Sequence, residues 1–362
     1  MTTRLVALGV LVASALVAWL AISVPFAARV LQVLIVVSMA YVAWLAWHGA
    51  RVMRRAYADG RSGAAEPTGL ALGFPFVSLV MPARNEAPVV AGAVAALRDQ
   101  RYHGPDGRPA YQLLVVDDAS TDATQAQAHQ AADGREHVLV RRREAAGGPR
   151  TKASVLAWAM PYLLGDVIGV VDADTRVAPS FLEGAMRAWA RDPAAVALQV
   201  ARRARNESVS WLTRAQAEEQ LMDMASQCGR WATDGTAELR GNGMFVRREA
   251  LDAVGGWKVG ALTEDLELST RLSAAGQHVT LAPEVAVDEE AVETIGALWR
   301  QRMRWAEGSL RRLLEHGPGV VLGPQSLARK ADFLAFTGEF VVPPLFAAAV
   351  VASLVTIPLP QP

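Results

Sequence analysis

The chain has 362 residues, 52% of them hydrophobic, and its 36 Lys and Arg residues balance 36 Asp and Glu residues. That balance excludes an intrinsically disordered chain and a basic nucleic-acid binder. A charged fraction of 20%, against about 25% in soluble domains, and apolar residues gathered at both ends point to a membrane protein with a soluble middle, while a single cysteine, Cys228, excludes an intramolecular disulfide framework and a cysteine-based zinc site.

Twenty-four uncharged residues separate Arg4 from Arg29 and twenty-one separate Arg29 from Arg51, each run enough for the ~20-residue helix that crosses a hydrocarbon core. Residues 1–50 therefore read as two transmembrane helices joined by a tight turn at Pro25. A cleaved signal peptide is the alternative, but the first run exceeds the usual 7–15 apolar residues and a second span follows at once. Arg51, Arg54, Arg55 and Arg61 crowd the exit of the second span, whereas the turn carries only Arg29. The positive-inside bias then puts residues 51 onward in the cytoplasm, with Trp44 and Trp47 at the interface. Residues 51–75, rich in Gly, Ala and Pro after position 57, read as a cytoplasmic linker.

From residue 76 to 287 short β-branched runs alternate with helical patterns: VSLVM (77–81), YQLLVV (111–116), HVLV (137–140) and VIGVV (167–171). This spacing predicts an α/β domain of βαβ units with a mainly parallel, Rossmann-like sheet covered on both faces. A helix over 291–316 follows, within an interfacial region 288–318, then a connector (319–339). Nothing after Glu339 is charged, so 340–362 reads as a transmembrane or re-entrant segment broken at its start by Pro343 and Pro344.

The polar groups that interrupt this pattern fall just after strands, where open α/β sheets bind ligands. Asp172 and Asp174, one residue apart at a strand end, can share a hard divalent cation that in turn bridges two phosphates; alone they would make an Asx turn. Asp117 and Asp118 are equally ordinary helix caps. Two acidic pairs on neighbouring strand ends would repel unless a cation or a nucleotide lay between them. Lys152 lies in GGPRTKAS (147–154), a turn into a helix suited to holding phosphate oxygens, or else a solvated lysine. Asp265 opens a helix after Thr263 and Glu264, placed either to complement the helix dipole or to accept a proton from an attacking hydroxyl. Gln301, Arg304 and Trp305 share one helix face through their i, i+3, i+4 spacing. Such a face can bind an anionic leaving group and stack on a sugar. Alternatively the helix lies on a membrane, with Arg300, Arg302, Arg311 and Arg312 on lipid phosphates and Trp299 and Trp305 inserted.

Taken in order, PARNE, VVDDAS, TKAS, VVDADT, RGNGMFVRR, TEDLELS and QRMRW resemble the inverting family-two glycosyltransferases with a glycosyltransferase-A fold, over roughly residues 76–316. The stretches 206–219, 238–257 and 297–312 are most similar to the bacterial synthases that glucosylate diacylglycerol from UDP-glucose. The resemblance implies that Ala83, Glu86, Asp117 and Asp118 hold the uridine and that Lys152 contacts the diphosphate. It implies that Asp172 and Asp174 serve the ribose and an Mg²⁺ or Mn²⁺ ion, that Asp265 is the general base, and that Gln301, Arg304 and Trp305 contact the diphosphate and acceptor. Ala157 stands where an Asn is usual, and TED where these lipid enzymes often read TDD.

The expected protein is thus a multi-pass enzyme of the cell (inner) membrane with a cytoplasmic catalytic domain, a UDP-sugar donor, a lipid acceptor and no nucleic-acid partner. Two rivals are a processive polysaccharide synthase of the cellulose, hyaluronan or poly-N-acetylglucosamine type, and a non-catalytic nucleotide-sugar receptor. The first needs a translocation channel of several packed helices; the second would be favoured by a missing base or DxD carboxylate.

Overall fold

A long helix, α1 (Pro25–Ser62), begins at its proline, whose missing N–H costs nothing in the first turn. The computed structural model describes residues 25–62, 75–144 and 149–337, with isolated positions at 9, 12–17, 19 and 347. The expected first span and the 340–362 segment therefore lie almost wholly outside the described residues. Among the described residues, one stretch, Ile35–Ala58, is long and apolar enough to cross a membrane. Helix α1 runs unbroken through the first half of the expected linker, so 51–62 is helical rather than loose. The reason is tertiary. Its second half packs on the soluble domain, where Met53 meets Met224, Cys228 and Ala201.

The domain follows as β1 (Val77–Ala83), α2 (Ala87–Arg98), β2 (Tyr111–Asp118), α3 (Thr124–Ala132), β3 (Val138–Arg143), α4 (Lys152–Ala159), β4 (Val167–Val170) and α5 (Phe181–Ala190). It continues with β5 (Ala197–Ala204), α6 (Trp211–Ala232), β6 (Met244–Arg247), α7 (Arg248–Ala253), α8 (Glu264–Ala274), β7 (Val279–Glu289), α9 (Ile295–Leu322) and α10 (Leu327–Thr337). The strands form one sheet in the order β3-β2-β1-β4-β6-β5-β7. Every pairing is parallel except those of β6, which runs against β4 and β5. Alternate residues of β1 and β2 point to opposite faces, as the pleat requires. Leu79, Met81, Leu113 and Val115 pack with α2, α3 and α5, whereas Val80, Leu114 and Val116 pack with α4, α7 and α8. Burial on both faces explains why these strands are apolar throughout.

Two helical boundaries differ from expectation. Helix α9 spans 295–322 rather than 291–316, because β7 runs to Glu289 and Thr294 then caps the helix through a bond from Ala297 N (3.3 Å). The expected connector is mostly helix α10, held down by Asp332, which is buried against Arg230. Helices α1 and α6 cross closely. A Cβ on Gly49 would overlap the Ala225 carbonyl, and one on Gly229 the Leu45 carbonyl. Glycine is needed at both positions.

Candidate active site

The parallel strands β1, β2 and β4 end side by side, and the loops leaving β1 and β2 are stitched together. Asn85 N donates to Ser120 Oγ (3.0 Å), Thr121 N to Asn85 Oδ1 (2.9 Å) and Glu86 N to Thr124 Oγ1 (2.8 Å). Both loops turn through left-handed non-glycine residues, Asn85 (φ 56°) and Ala119 (φ 51°), strain that proteins tend to keep at working sites. Ala83 is buried at the end of β1 and Glu86 is half-buried at the start of α2. The Asp117–Asp118 pair needs no cation to offset its charge. Arg142 donates to Asp117 at 2.6 Å and Arg143 to Asp118 at 2.7 Å. These are the residues that the β2–β3 register sets opposite them.

The second cluster forms where β4, α4 and α8 meet. Thr151 caps α4 by accepting from Ser154 N, which leaves Lys152 in the first turn, aimed across the sheet edge. Its ammonium donates to Asp172 Oδ1 (2.5 Å) and to the Gly241 carbonyl (2.8 Å), with Glu264 Oε1 at 3.4 Å. Burial opposes the Lys152 charge, but Asp172 and Glu264 outweigh it and hold the group above the usual lysine range. Asp265 borders the same place: a Cβ on Gly241 would lie 3.1 Å from its Oδ2. Burial raises the Asp265 carboxyl, against the Leu266 amide and the charges of Lys152, Arg240 and Arg202.

Asp174 accepts from the Glu290 amide (3.0 Å). Burial, aided by Asp172 and Glu289, pushes it up to about 6. Glu86 is pushed up to about 7, first by burial and then by Asp174, Asp172, Asp122 and Glu290. Carboxylates from three loops thus crowd one place with excess negative charge. Hard oxygen donors under such repulsion suit a divalent cation. Among the described residues no group of three or more His, Cys, Asp or Glu side chains is arranged to hold a metal. A cation on Asp172 and Asp174 would need further oxygens from a ligand, as Mg²⁺ commonly does with phosphates.

Helix α9 reaches this neighbourhood through Gly308, whose Cα packs so closely on Thr263 that a Cβ would overlap its side chain. Arg304 and Trp305 lie one turn earlier on α9 than this contact. Trp305 is half-buried beneath the Arg302 guanidinium (4.4 Å), Gln301 is half-buried and Arg304 exposed. Gln301 and Arg304 form no hydrogen bond or ion pair with the carboxylate cluster among the described residues.

Residues 75–308 match the family described as glycosyltransferase like family 2. The chain belongs to this family. It is 38% identical to a β-monoglucosyldiacylglycerol synthase from Synechocystis sp. over 73% of the chain and 54% of that protein, and 36% identical to one from Nostoc sp. over 72% and 55%. The chain spans about half the length of the curated relatives it matches. Its fold matches a mannosyltransferase from Pyrobaculum calidifontis, solved in complex with GDP-Man and Mn²⁺, with a TM-score of 0.61 at 22% identity, covering 89% of this chain and 88% of that one.

Set out as a family-two glycosyltransferase, the chain brings together Lys152, Asp172, Glu264 and Asp265, with Glu86 and Asp174 close enough to repel. It keeps Asp117 and Asp118 in a separate arginine-paired group. Arg312, expected on lipid phosphates, is instead buried and donates to Glu238 at 2.5 Å, because its position on α9 faces the domain. Two organising residues carried no assigned role in the sequence, although both lie in the quoted RGNG stretch. Asn242 Oδ1 accepts from Asp172 N (3.1 Å) and Thr175 Oγ1 (3.0 Å), while its Nδ2 donates to Glu289 (2.8 Å). Arg240 is the other.

Proposed function

We propose that the chain is a membrane-anchored inverting glycosyltransferase that moves glucose from UDP-glucose to diacylglycerol, with its site on the cytoplasmic face of the cell membrane. The observation that carries the reading is the meeting of Lys152, Asp172 and Asp265 around Gly241 at the strand ends of a family-two glycosyltransferase domain. The printed names of the relatives support the sugar and the acceptor. Exposed apolar side chains along α1, from Val30 to Trp47, support membrane anchoring.

In this reading Ala83, Glu86, Asp117 and Asp118 line the uridine position. Lys152, Gln301 and Arg304 receive the diphosphate, and Trp305 meets the acceptor. Asp265 takes the proton of the acceptor hydroxyl while that oxygen bonds to the anomeric carbon and the bond from carbon to diphosphate breaks, releasing UDP. One displacement inverts the carbon, so an α-linked donor yields a β-glycoside. Lys152 offers fixed positive charge where the leaving group gains negative charge, an effect strongest in a dry, preorganised site. Asp172 and Asp174 would hold an Mg²⁺ or Mn²⁺ ion, which when bound supplies further charge neutralisation at the diphosphate.

The test supplies purified protein in lipid vesicles with UDP-glucose, Mg²⁺ and radiolabelled diacylglycerol. One hexose per labelled lipid is expected. Asp265→Asn should lower turnover by ~10²–10⁴ while UDP binding persists. Consumption of donor into a polymer with unmodified lipid would assign the chain to the synthases instead.

A further inference from the structure

Segment 236–242 runs buried between helix α10 and the carboxylate cluster, and its polar groups are fixed along its whole length. Thr236 donates through N and Oγ1 to Asp332 of α10 (2.8 and 2.6 Å). Glu238 exchanges main-chain bonds with the Gln227 amide (2.8 and 2.9 Å), Leu239 N donates to Ser269 Oγ (2.9 Å) and Arg240 N to Gln199 Oε1 (2.7 Å). These bonds set the path of the strap but do not demand an arginine at 240.

The Arg240 side chain adds a second constraint. Its Nε and Nη2 form a fork on the Asp223 carboxylate (both 2.9 Å), Nη1 donates to Glu238 (3.3 Å), and the Phe336 ring of α10 lies 5.3 Å away. A two-point guanidinium–carboxylate contact fixes orientation as well as position. The next residue, Gly241, has φ +77°, gives its carbonyl to Lys152 and lies against Asp265. Pinning Arg240 on α6 therefore sets where Lys152 and the Asp265 carboxylate stand relative to each other.

We propose that Arg240 is a positioning residue for glycosyl transfer, clamping Gly241 between Lys152 and Asp265. The inference rests on Asp265 being the base, as argued above. Arg240 also acts on Asp265 electrostatically, together with Lys152 from α4, Arg202 from β5 and Glu264 from the same helix. A base works as the carboxylate, so activity rises with pH through its titration. Removing the Arg240 charge favours the protonated form and moves that acid limb to higher pH.

The experiment measures kcat against pH at saturating donor for the wild type, Arg240→Gln and Arg240→Lys in vesicles, with UDP affinity in parallel. Arg240→Gln should lose roughly 10–100-fold in kcat at neutral pH, the scale of an ångström-level misplacement. Its acid limb should shift upward, and UDP affinity, which also uses Lys152, should fall by less than kcat does. Arg240→Lys should return the limb to its wild-type position but recover kcat only in part, since lysine lacks the fork. A purely structural role would lower the folded fraction and leave the limb where it is. If Arg240→Gln fails to fold because the half-buried Asp223 loses its guanidinium fork, the Asp223→Asn/Arg240→Gln double variant removes that penalty and should show the same direction of shift, more weakly. An unmoved limb in a folded variant, or Arg240→Lys no better than Arg240→Gln, overturns the proposal. Failure of the functional reading is distinct: the wild type then makes no glucolipid at any pH, and the positioning role falls with it.

Discussion

Glu238 sits among three guanidiniums, those of Arg312 at 2.5 Å, Arg240 at 3.3 Å and Arg230 at 3.9 Å. Burial alone would raise its carboxyl, but the arginines outweigh burial and hold it from 4.5 down to about 2. A depressed folded value means that the unfolded chain binds the proton first. The stabilisation is therefore complete above pH ~4.5 and is lost as pH falls toward 2. Glu238→Gln should cost about 3 kcal/mol at pH 7, since it leaves Arg312 without its nearest buried counter-charge. The same variant should show a flatter decline in stability between pH 4.5 and 2 than the wild type. Denaturant titrations across that range check both, and an equally steep decline would show that other carboxylates dominate acid unfolding.

The crossing of α1 and α6 is the element on which the linkage between candidate span and domain depends. Gly49→Leu would push the Ala225 carbonyl away and spread the helices, with an expected loss of about 1–3 kcal/mol. Limited proteolysis and thermal unfolding should both register it, whereas Ala50→Leu, at an exposed neighbour, should change neither. This close approach was not legible in the sequence, because a glycine inside an apolar run reads equally well as part of a lipid-facing helix. Strands β1, β2 and β4 were legible, since apolar runs covered on both faces leave an unmistakable pattern. Of the edge strand β3 only the apolar first half was legible, from HVLV. Strands β5 and β7 were not: ALQVARRA ends in charge, and VTLAPEVAVDE carries a proline where its register with β5 shifts. In the candidate site, Lys152, Asp172, Asp174 and Asp265 could be named from local chemistry. The arginine partners of Asp117 and Asp118 could not, because RRR at 141–143 resembles a solvated run until the parallel register sets it beside β2.

For the whole molecule, Ile295, Trp299 and Met303 recur every fourth residue on α9 and are 64%, 67% and 53% exposed, with Arg300, Arg304 and Arg311 exposed beside them. If this face meets a bilayer, glucolipid synthesis in vesicles should rise when anionic lipid is added and fall at high salt. Arg300→Gln with Arg311→Gln should weaken that stimulation, each arginine contributing on the order of 1 kcal/mol near an anionic leaflet. Indifference to lipid charge would remove α9 from the membrane surface.

Helix α1 has 38 residues without a break, a rod of about 57 Å at 1.5 Å per residue, whereas a hydrocarbon core is only about 30 Å thick. The remainder is bolted to the domain rather than hinged to it. In the proposed lipid glycosyltransferase, a domain fixed to a stiff shaft through the bilayer would work at one height, and a lipid acceptor would reach it by lateral diffusion, a two-dimensional search whose rate would follow surface density in the leaflet rather than bulk concentration.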